Sequence, residues 1–207
     1  MAKLYLLKIT YKDCDNKIWR KAWVRDSFRL VDLGYLIISS FDTYADKLFS
    51  FFKDNEEYEA FDETYLDTGV MLETTLEELS LRVGDKLEMI YDYDFVQPFE
   101  IELLEESDFK EDENDEDIYA TKDLDDDKME QYPKIIDGRG KGIIEGLSPK
   151  ELLEAIAEEE NLGVSSIANE RYFGGNWKYS DYSPIEDDEM IIDELECLRE
   201  TYEIYEP

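Results

Sequence analysis

Residues 85–103 carry the pattern that most constrains the fold, an alternation of apolar and polar side chains with a period of two. Such alternation is typical of a β-strand that buries one of its faces. A break at Val96-Gln97-Pro98 divides the run into two halves, so the sequence predicts a β-hairpin. The apolar positions on one side are Leu87, Met89, Tyr91, Tyr93, Phe99, Ile101 and Leu103.

Two further elements are visible in the first 41 residues. An alternating stretch over 4–24, interrupted by a polar turn at 12–16, predicts a second hairpin. Helical spacing of apolar residues predicts a helix over 28–41. Gly34 inside it indicates close packing against a neighbour, because glycine costs a helix about 1 kcal/mol relative to alanine.

Three more elements are expected along the chain. A run of aromatic residues over 47–53 predicts a short buried strand. Ser148 followed by Pro149 marks the start of an amphipathic helix. A last helix is expected to line one face with Ile185, Met190, Ile191, Leu195 and Leu198.

Together these elements predict an α+β domain. We expect a mixed β-sheet built from two hairpins and a connecting helix and strand, similar to a β-grasp, with helices on one face and an acidic C-terminal extension. The predicted organisation is an α+β core over 1–104, an acidic flexible insertion over 105–130, a helix-containing completion of the core over 131–163, and an aromatic loop with an acidic C-terminal helix over 164–207.

The charge is extreme and unevenly distributed. The 207 residues include 55 acids and 22 basic residues, a formal net charge of -33, which repels polyanions and anionic membranes. Residues 105–130 hold 14 acids against three lysines, a composition that cannot offset chain entropy by burial. Residues 1–30 instead carry eight cations against three acids. This first hairpin is therefore a basic island. Because the surface as a whole is strongly negative, we expect no direct DNA binding.

The residue inventory restricts the chemistry. The chain has no histidine, which removes the usual general base and the commonest metal ligand. Cys14 and Cys197 lie at opposite ends without CxxC spacing, and neither a signal peptide nor a run of about 20 apolar residues is visible. We therefore expect a cytoplasmic protein with no cofactor and no membrane partner, and we assign no catalytic residue.

Two patterns have both a ligand-binding and a structural interpretation. Asp92, Asp94 and Glu100 could bind a divalent cation through oxygen ligands, although alternate charged positions on a strand are usually solvated. The glycine-rich segment 138–142 could cradle a phosphate with backbone N–H groups. It lacks the spacing of a phosphate-binding loop. We favour the structural interpretation of both.

Aromatic and basic side chains interleave around Trp19, Arg20 and Trp23. This composition suits a platform for single-stranded nucleic acid, but large residues on a hairpin more often form half of a core while lysine and arginine protect its edge. The aromatic residues of 172–182 either pack onto the domain or are exposed for recognition. Packing is the favoured interpretation of both groups.

The order of these short motifs resembles the plasmid pRiA4b ORF-3-like family, which occurs on plasmids, in passenger genes of insertion elements and on prokaryotic chromosomes. The resemblance covers residues 4–157 apart from the acidic insertion. It implies a protein from a mobile element or from a genome that carries one. The matching segments are Tyr5–Ile9 with Ile18–Arg20, residues 30–41 with 47–51, Gly84-Asp85 with Tyr91–Phe95, and Tyr132-Pro133 with Asp137-Gly138.

The chain departs from the family pattern at polar positions. Asp46 or Lys47 stands where the family has a histidine, and Phe99 and Ile101 stand where it has tryptophan and histidine. Residues 139–146 replace a Pro-Glu-Asp-Cys turn. Any metal or catalytic role of those positions is therefore not carried over to this chain.

Three functional hypotheses follow. The leading one is a non-enzymatic cytoplasmic module that binds a protein partner. The second is an acidic surface that imitates DNA phosphates and inhibits a nucleic-acid-binding protein, and the third is an enzyme with a divalent metal at Asp92, Asp94 and Glu100. The sequence leaves the oligomeric state open. The candidate interaction residues are Trp19, Arg20, Trp23, Tyr91, Asp92, Tyr93, Asp94, Phe95 and Phe99.

Overall fold

The structure of the chain, a computed structural model, describes residues 2–54, 56–59, 74–108, 132–172 and 176–203. Seven strands lie within these ranges and form one sheet. They are β1 (Lys3–Tyr11), β2 (Trp19–Arg25), β3 (Phe49–Lys53), β4 (Glu56–Glu59), β5 (Lys86–Tyr91), β6 (Gln97–Asp108) and β7 (Lys134–Arg139). Their order is β4-β3-β5-β6-β1-β2-β7, and every pairing among them is antiparallel.

The α+β class and both hairpins predicted from the sequence are confirmed. In the β5–β6 hairpin Met89 lies opposite Phe99, and in the β1–β2 hairpin Leu7 lies opposite Ala22. The prediction of a mixed, β-grasp-like sheet needs correction, because the observed sheet is entirely antiparallel and larger than predicted. Strand β4 is almost entirely charged, and in β7 the two apolar residues, Ile135 and Ile136, are adjacent and a glycine follows, so neither strand shows the alternation that predicts a strand.

One face of the sheet forms the core. In β1 the odd-numbered side chains from Tyr5 to Tyr11 are buried, whereas Leu4, Leu6 and Lys8 on the opposite face are half-buried. The same alternation continues through β2, β5 and β6. This is the pattern of an antiparallel sheet that packs on one side and meets solvent on the other.

Helix α1 (Leu30–Ser40) packs against the buried face. Phe41, the residue after the helix, meets Phe99 of β6 edge-on with 4.9 Å between ring centroids. A Cβ atom at Gly34 would collide with the ring of Phe49 in β3. The close packing predicted at this glycine is therefore confirmed.

Helix α2 (Pro149–Leu162) begins as the sequence predicts. The Ser148 hydroxyl accepts a hydrogen bond from the backbone N–H of Glu151, and the Glu151 carboxylate accepts one from the backbone N–H of Ser148. This reciprocal capping box satisfies two N–H groups that a helix start leaves unpaired. Gly163 ends the helix in the left-handed conformation with φ 75°, and the short helix α3 (Ser166–Arg171) follows.

Helix α4 (Pro184–Glu203) packs against α1 and β7. Ile191 and Leu195 are buried, whereas Ile185 and Met190 are 71% and 58% exposed, so only part of the predicted apolar face lies in the core. The Arg199 Nε donates to Asp32 of α1 at 2.8 Å.

Strand β6 continues through Asp108 and therefore includes the first residues of the acidic stretch predicted to begin at Glu105. The rest of that predicted insertion, residues 109–130, lies outside the described residues, as do residue 131 and residues 60–73. Among the helices of the described ranges, none has both the length and the apolar composition required to cross a membrane.

Candidate functional site

The turn between β5 and β6 is fixed by the side chain of Asp92. Its Oδ1 accepts hydrogen bonds from the backbone N–H groups of Asp94 (3.0 Å) and Phe95 (3.3 Å). Its own backbone N–H donates to the carbonyl of Leu48 at 3.0 Å. Asp92 has φ 57°, a left-handed conformation that aspartate tolerates because its side chain can bond to nearby backbone. Asp92 thus restrains the turn and ties it to the loop before β3.

Five large apolar side chains of this turn and of the loop before β3 are exposed to solvent. We call these residues, Tyr44, Leu48, Tyr93, Phe95 and Val96, the turn patch. An exposed group of large apolar side chains is typical of a protein-contact surface. The exposed fractions are 46% for Tyr44, 51% for Leu48, 50% for Tyr93, 56% for Phe95 and 49% for Val96.

Glu145 supports the turn patch from beneath. Its Oε1 accepts hydrogen bonds from the backbone N–H of Tyr44 (2.7 Å) and from the hydroxyl of Tyr91 (2.9 Å). Burial raises the pKa of Glu145, although both hydrogen bonds favour the charged form. The pKa of the buried Tyr91 is raised as well, chiefly by burial. Glu145 therefore links the two chain segments that carry the turn patch.

Gln97 anchors the far side of the turn. Its side chain is fully buried, and its Nε2 donates to the carbonyls of Phe95 (3.2 Å) and Leu147 (3.1 Å). The hydroxyl of Tyr11 donates to its Oε1. Since Asp92 and Gln97 hold the turn at both ends, its exposed side chains project from a fixed backbone.

Acidic residues lie around the turn patch. Asp94 is exposed within the turn, and β4 contributes Glu57 and Glu59. Burial raises the pKa of Tyr93, and the charges of Glu59 and Glu57 raise it further. The turn patch is therefore an apolar centre with an acidic rim.

The carboxylates that the sequence suggested as metal ligands do not converge. Asp92 is buried and occupied by the turn, Asp94 is exposed, and Glu100 pairs with Lys86 at 2.8 Å. Among the residues that the structure describes, no group of three or more His, Cys, Asp and Glu side chains is placed to hold a metal ion.

Arg20, a candidate interaction residue, is fully buried and acts inside the molecule. Its donors reach backbone carbonyls of β2, of the end of α1 and of the segment from the end of β7. The distances are 2.8 Å from Nε to Ser40, 3.0, 3.1 and 2.9 Å from Nη1 to Trp19, Arg139 and Gly140, and 3.1 Å from Nη2 to Lys141. The glycine-rich segment 138–142 thus turns carbonyls toward a cation, which fits the plain-turn interpretation.

Aromatic rings and a carboxylate complete the surroundings of Arg20. The guanidinium carbon lies 3.6 Å from the ring centroid of Tyr182 and 4.7 Å from that of Phe41. Asp187 of α4 lies 3.4 Å from Nε. Burial lowers the pKa of Arg20, and the negative charge of Asp187 opposes this effect. One side chain therefore joins β2, α1, the segment after β7 and the start of α4.

The remaining candidates divide between the core and the opposite sheet face. Tyr91 and Phe99 are fully buried, and Phe99 packs on Phe41. Trp19 and Trp23 are half-buried on the face away from the core. Of the candidate interaction residues, only Tyr93, Asp94 and Phe95 therefore lie together as exposed residues at the turn.

The aromatic stretch 172–182 packs onto the domain where the structure describes it. Trp177 is 1% exposed and Tyr179 is 6% exposed, and the Tyr179 hydroxyl donates to the carbonyl of Lys17 at 2.7 Å. Residues 173–175 lie outside the described residues.

Sequence reasoning missed three members of the turn patch, namely Tyr44, Leu48 and Val96. Leu48 was expected in a buried strand because aromatic residues follow it, but β3 begins at Phe49. Val96 lies in the break of the hairpin pattern, and Tyr44 lies in a loop. Exposed loop side chains have no periodic signal. The alternation placed Tyr93 on the apolar side of the hairpin with Tyr91, but the strand ends at Tyr91 and the turn leaves Tyr93 50% exposed.

The fold is shared with a protein that has no assigned activity. The crystal structure of the protein of unknown function MM3350 from Methanosarcina mazei Go1 matches with a TM-score of 0.63 at 16% sequence identity, covering 90% of this chain and 98% of that chain. At this identity the similarity concerns the fold alone. No curated protein matches the chain significantly. The chain belongs to the plasmid pRiA4b ORF-3-like protein family, whose sequence model matches residues 3–173, which confirms the resemblance of the motifs.

Replacing Arg20 tests whether the buried guanidinium holds the fold together. We expect Arg20→Lys to lower the free energy of unfolding by about 3–5 kcal/mol, because an ammonium keeps the charge but cannot reach the same set of carbonyls and leaves several of them buried without a partner. Urea denaturation followed by tryptophan fluorescence measures the change. The exposed Arg171→Lys is the matched control and should stay within about 0.5 kcal/mol of the parent. Equal effects of the two variants would contradict the assignment.

The stability should depend on pH through half-buried carboxylates. Partial burial raises the pKa values of Glu145, Asp187 and Glu194 above their ordinary range. Between the ordinary and the raised pKa the folded chain binds more protons than the unfolded chain, so stability falls as pH rises through that interval. We expect a higher melting temperature at about pH 5 than at about pH 8.

Glu145→Gln isolates one of these groups. The amide oxygen can still accept from Tyr44 and Tyr91 but carries no charge, so the variant should show a weaker loss of melting temperature between the two pH values. Asp32 does not counteract this trend: burial tends to raise its pKa, but hydrogen bonds from Arg29 and Arg199 hold it below its ordinary range. Its contribution is therefore lost only in stronger acid. A melting temperature that rises from pH 5 to pH 8 would refute the expectation.

Proposed function

We propose that this chain is a non-enzymatic, cytoplasmic protein-interaction module that binds its partner through the turn patch. The observation that carries the proposal is the exposure of Tyr93 and Phe95, 50% and 56%, on a turn whose backbone is held by Asp92 and Gln97. Large aromatic side chains of this kind dominate the energy of protein interfaces. Their partly exposed state in the free chain leaves apolar surface for a partner to cover.

The rigidity of the turn supports a binding role. Ordering a loop during association reduces affinity, and a loop that is already held in shape avoids most of that cost. Asp92, Gln97 and Glu145 provide this restraint through hydrogen bonds to the turn and to the neighbouring loop. The side chains of the turn patch supply contact area rather than reacting groups, so the proposal assigns no catalytic residue.

The acidic rim determines the chemistry of the partner. Asp94, Glu57 and Glu59 lie beside the apolar centre, so a complementary surface combines apolar side chains with a surrounding ring of lysine or arginine. Rim charges act mainly on the association rate and its salt dependence. The expected partner is therefore a protein with a basic surface around an apolar depression.

A pull-down with matched variants tests this proposal. The full chain carrying Tyr93→Ser and Phe95→Ser should recover at least about tenfold less of its partner from the native host than the parent does. The control carries Ile185→Ser and Met190→Ser on α4, which remove equally exposed apolar side chains away from the turn patch. It should recover the partner as the parent does.

Photo-crosslinking supplies the decisive comparison. A benzophenone side chain introduced at position 95 should form a covalent adduct with the same partner, whereas one introduced at position 185 should not. Loss of the partner with the α4 control alone, or crosslinking only from position 185, would overturn the role of the turn patch.

A second candidate is a mimic of DNA that occupies a nucleic-acid-binding protein. The observation in its favour is a row of exposed carboxylates along one side of α4, spaced three and four residues apart and so about 5 Å apart along the helix axis. Such a row presents regular negative charge, as a nucleic-acid backbone does. Its members are Glu186, Glu189, Asp193, Glu196 and Glu200.

Replacement of the α4 carboxylates, competition with DNA and the steepness of the salt dependence together separate the two candidates. A complex made through the α4 row should compete with DNA, weaken steeply as salt rises, and be lost when Glu189, Asp193 and Glu196 are changed to their amides. A complex made through the turn patch should survive those changes. Binding affinities measured at about 50 mM and about 200 mM salt, with and without duplex DNA, decide between them.

A further inference from the structure

The sheet face opposite the core presents an apolar stripe between charged residues. Strand register places Leu6 of β1 opposite Trp23 of β2, and Leu104 lies in the adjoining β6 at the irregularity of the β1–β6 pairing. These side chains are half-buried, and Ile136 of β7 is 44% exposed. We call the outward side chains of β5, β6, β1, β2 and β7 the open face.

One row of the open face crosses all five strands. Strand register aligns Lys86, Glu102, Lys8, Lys21 and Asp137 in that order from β5 to β7. Their signs are positive, negative, positive, positive and negative. A twofold rotation about an axis along β1 reverses the order of the row on a second copy. Lys86 of one copy then meets Asp137 of the other, and Glu102 meets Lys21.

The ends of the neighbouring row also match. The row through Thr10 runs from Glu88 and Glu100 to Trp19 and Arg139, so the rotation sets Glu88 against Arg139 and Glu100 against the ring of Trp19. In the stripe, the register sets Glu105, with its neighbour Leu104 at the irregularity, near Trp23 of the other copy, and Leu6 meets Leu6. Lys8 is the one member of its row that meets a like charge, because the rotation sets it against Lys8 of the other copy. Its Nζ lies 5.9 Å from the centroid of the Trp19 ring, so an aromatic face also meets its charge.

We propose that the open face is the interface of a homodimer, in which two copies of this chain pack sheet against sheet about a twofold axis along β1. A twofold interface uses the same surface on both copies and requires that surface to be complementary to itself. The aligned packing of two sheets provides the geometry. This proposal does not involve the turn patch, so either surface can fail without the other.

The charges would form a network rather than isolated pairs. Within one copy Lys21 lies 3.2 Å from Asp137 and Lys86 lies 3.9 Å from Glu102. The rotation brings the two pairs together as a square of alternating signs, an arrangement worth more than single surface ion pairs. The row holds three cations and two anions, so its own net charge is small. The large net negative charge of the chain lies elsewhere.

The size of the open face fits a specific, modest interface. Five strands about 4.8 Å apart and seven residues of about 3.3 Å rise cover roughly 550 Å² of projected area per copy. Two copies together remove roughly 1,100 Å², near the lower limit of specific protein interfaces. A single-stranded nucleic acid fits the face less well, because the net charge of -33 repels polyanions.

Charge exchange between two variants tests the proposal. The full chain should sediment as a dimer in analytical ultracentrifugation at about 100 µM. Lys21→Glu alone sets the new carboxylate against Glu102 of the other copy, and Glu102→Lys alone sets two lysines together. Each variant should raise the dimer dissociation constant at least about 100-fold. An equimolar mixture should form a heterodimer with an affinity near that of the parent, because both contacts again pair opposite charges.

The mixture also controls for misfolding, because two variants that fail to fold would not form a heterodimer when they are mixed. Lys150→Glu and Glu154→Lys on α2 are matched charge reversals away from the open face and should leave the parent dimer unchanged. A parent chain that is monomeric at about 100 µM overturns the proposal and leaves the face to another kind of partner. Variants that dimerise as the parent does, or monomeric variants that fail to form the heterodimer, also overturn it.

Discussion

The fold depends on one buried cation. Arg20 donates to carbonyls of β2, α1 and the segment from the end of β7, stacks between Phe41 and Tyr182, and faces Asp187 of α4. A guanidinium is suited to this task because its donors are fixed in a plane and its faces stack on aromatic rings. Without it, the carbonyls that converge there would be buried without partners, which is costly for backbone groups.

The same interaction helps to place the two proposed contact surfaces. Arg20 fixes the end of α1, and the loop that follows α1 carries Tyr44 and Leu48 of the turn patch. On the other side of β2, the alternation of side chains that buries Arg20 directs Trp19 and Lys21 to the open face. The core and the open face therefore follow from one strand register, and the turn patch follows from the position of the end of α1. The acidic helix α4 is held to the sheet by Asp187 and to α1 by Arg199.

The sequence was informative where periodicity was strong. The alternation over 85–103, the helix start at Ser148 and the close packing at Gly34 could all be predicted, because each depends on local spacing or on the special backbone of glycine. Strands β4 and β7 could not be predicted, because their partners rather than their composition make them strands. Arg20 was grouped with its tryptophan neighbours as a contact residue, since only tertiary structure shows which face of β2 is buried.

Native-state hydrogen exchange tests most directly whether the Arg20 interaction makes α4 and the sheet a single cooperative unit. If it does, the backbone amides of Ile191 and Leu195 in α4 will exchange through the same unfolding event as those of Leu7 and Ile9 in β1, with free energies of opening within about 1 kcal/mol of each other. Opening free energies for α4 that are lower than those of β1 by about 3 kcal/mol or more would show that the helix detaches while the sheet remains folded, and would contradict the central role of Arg20.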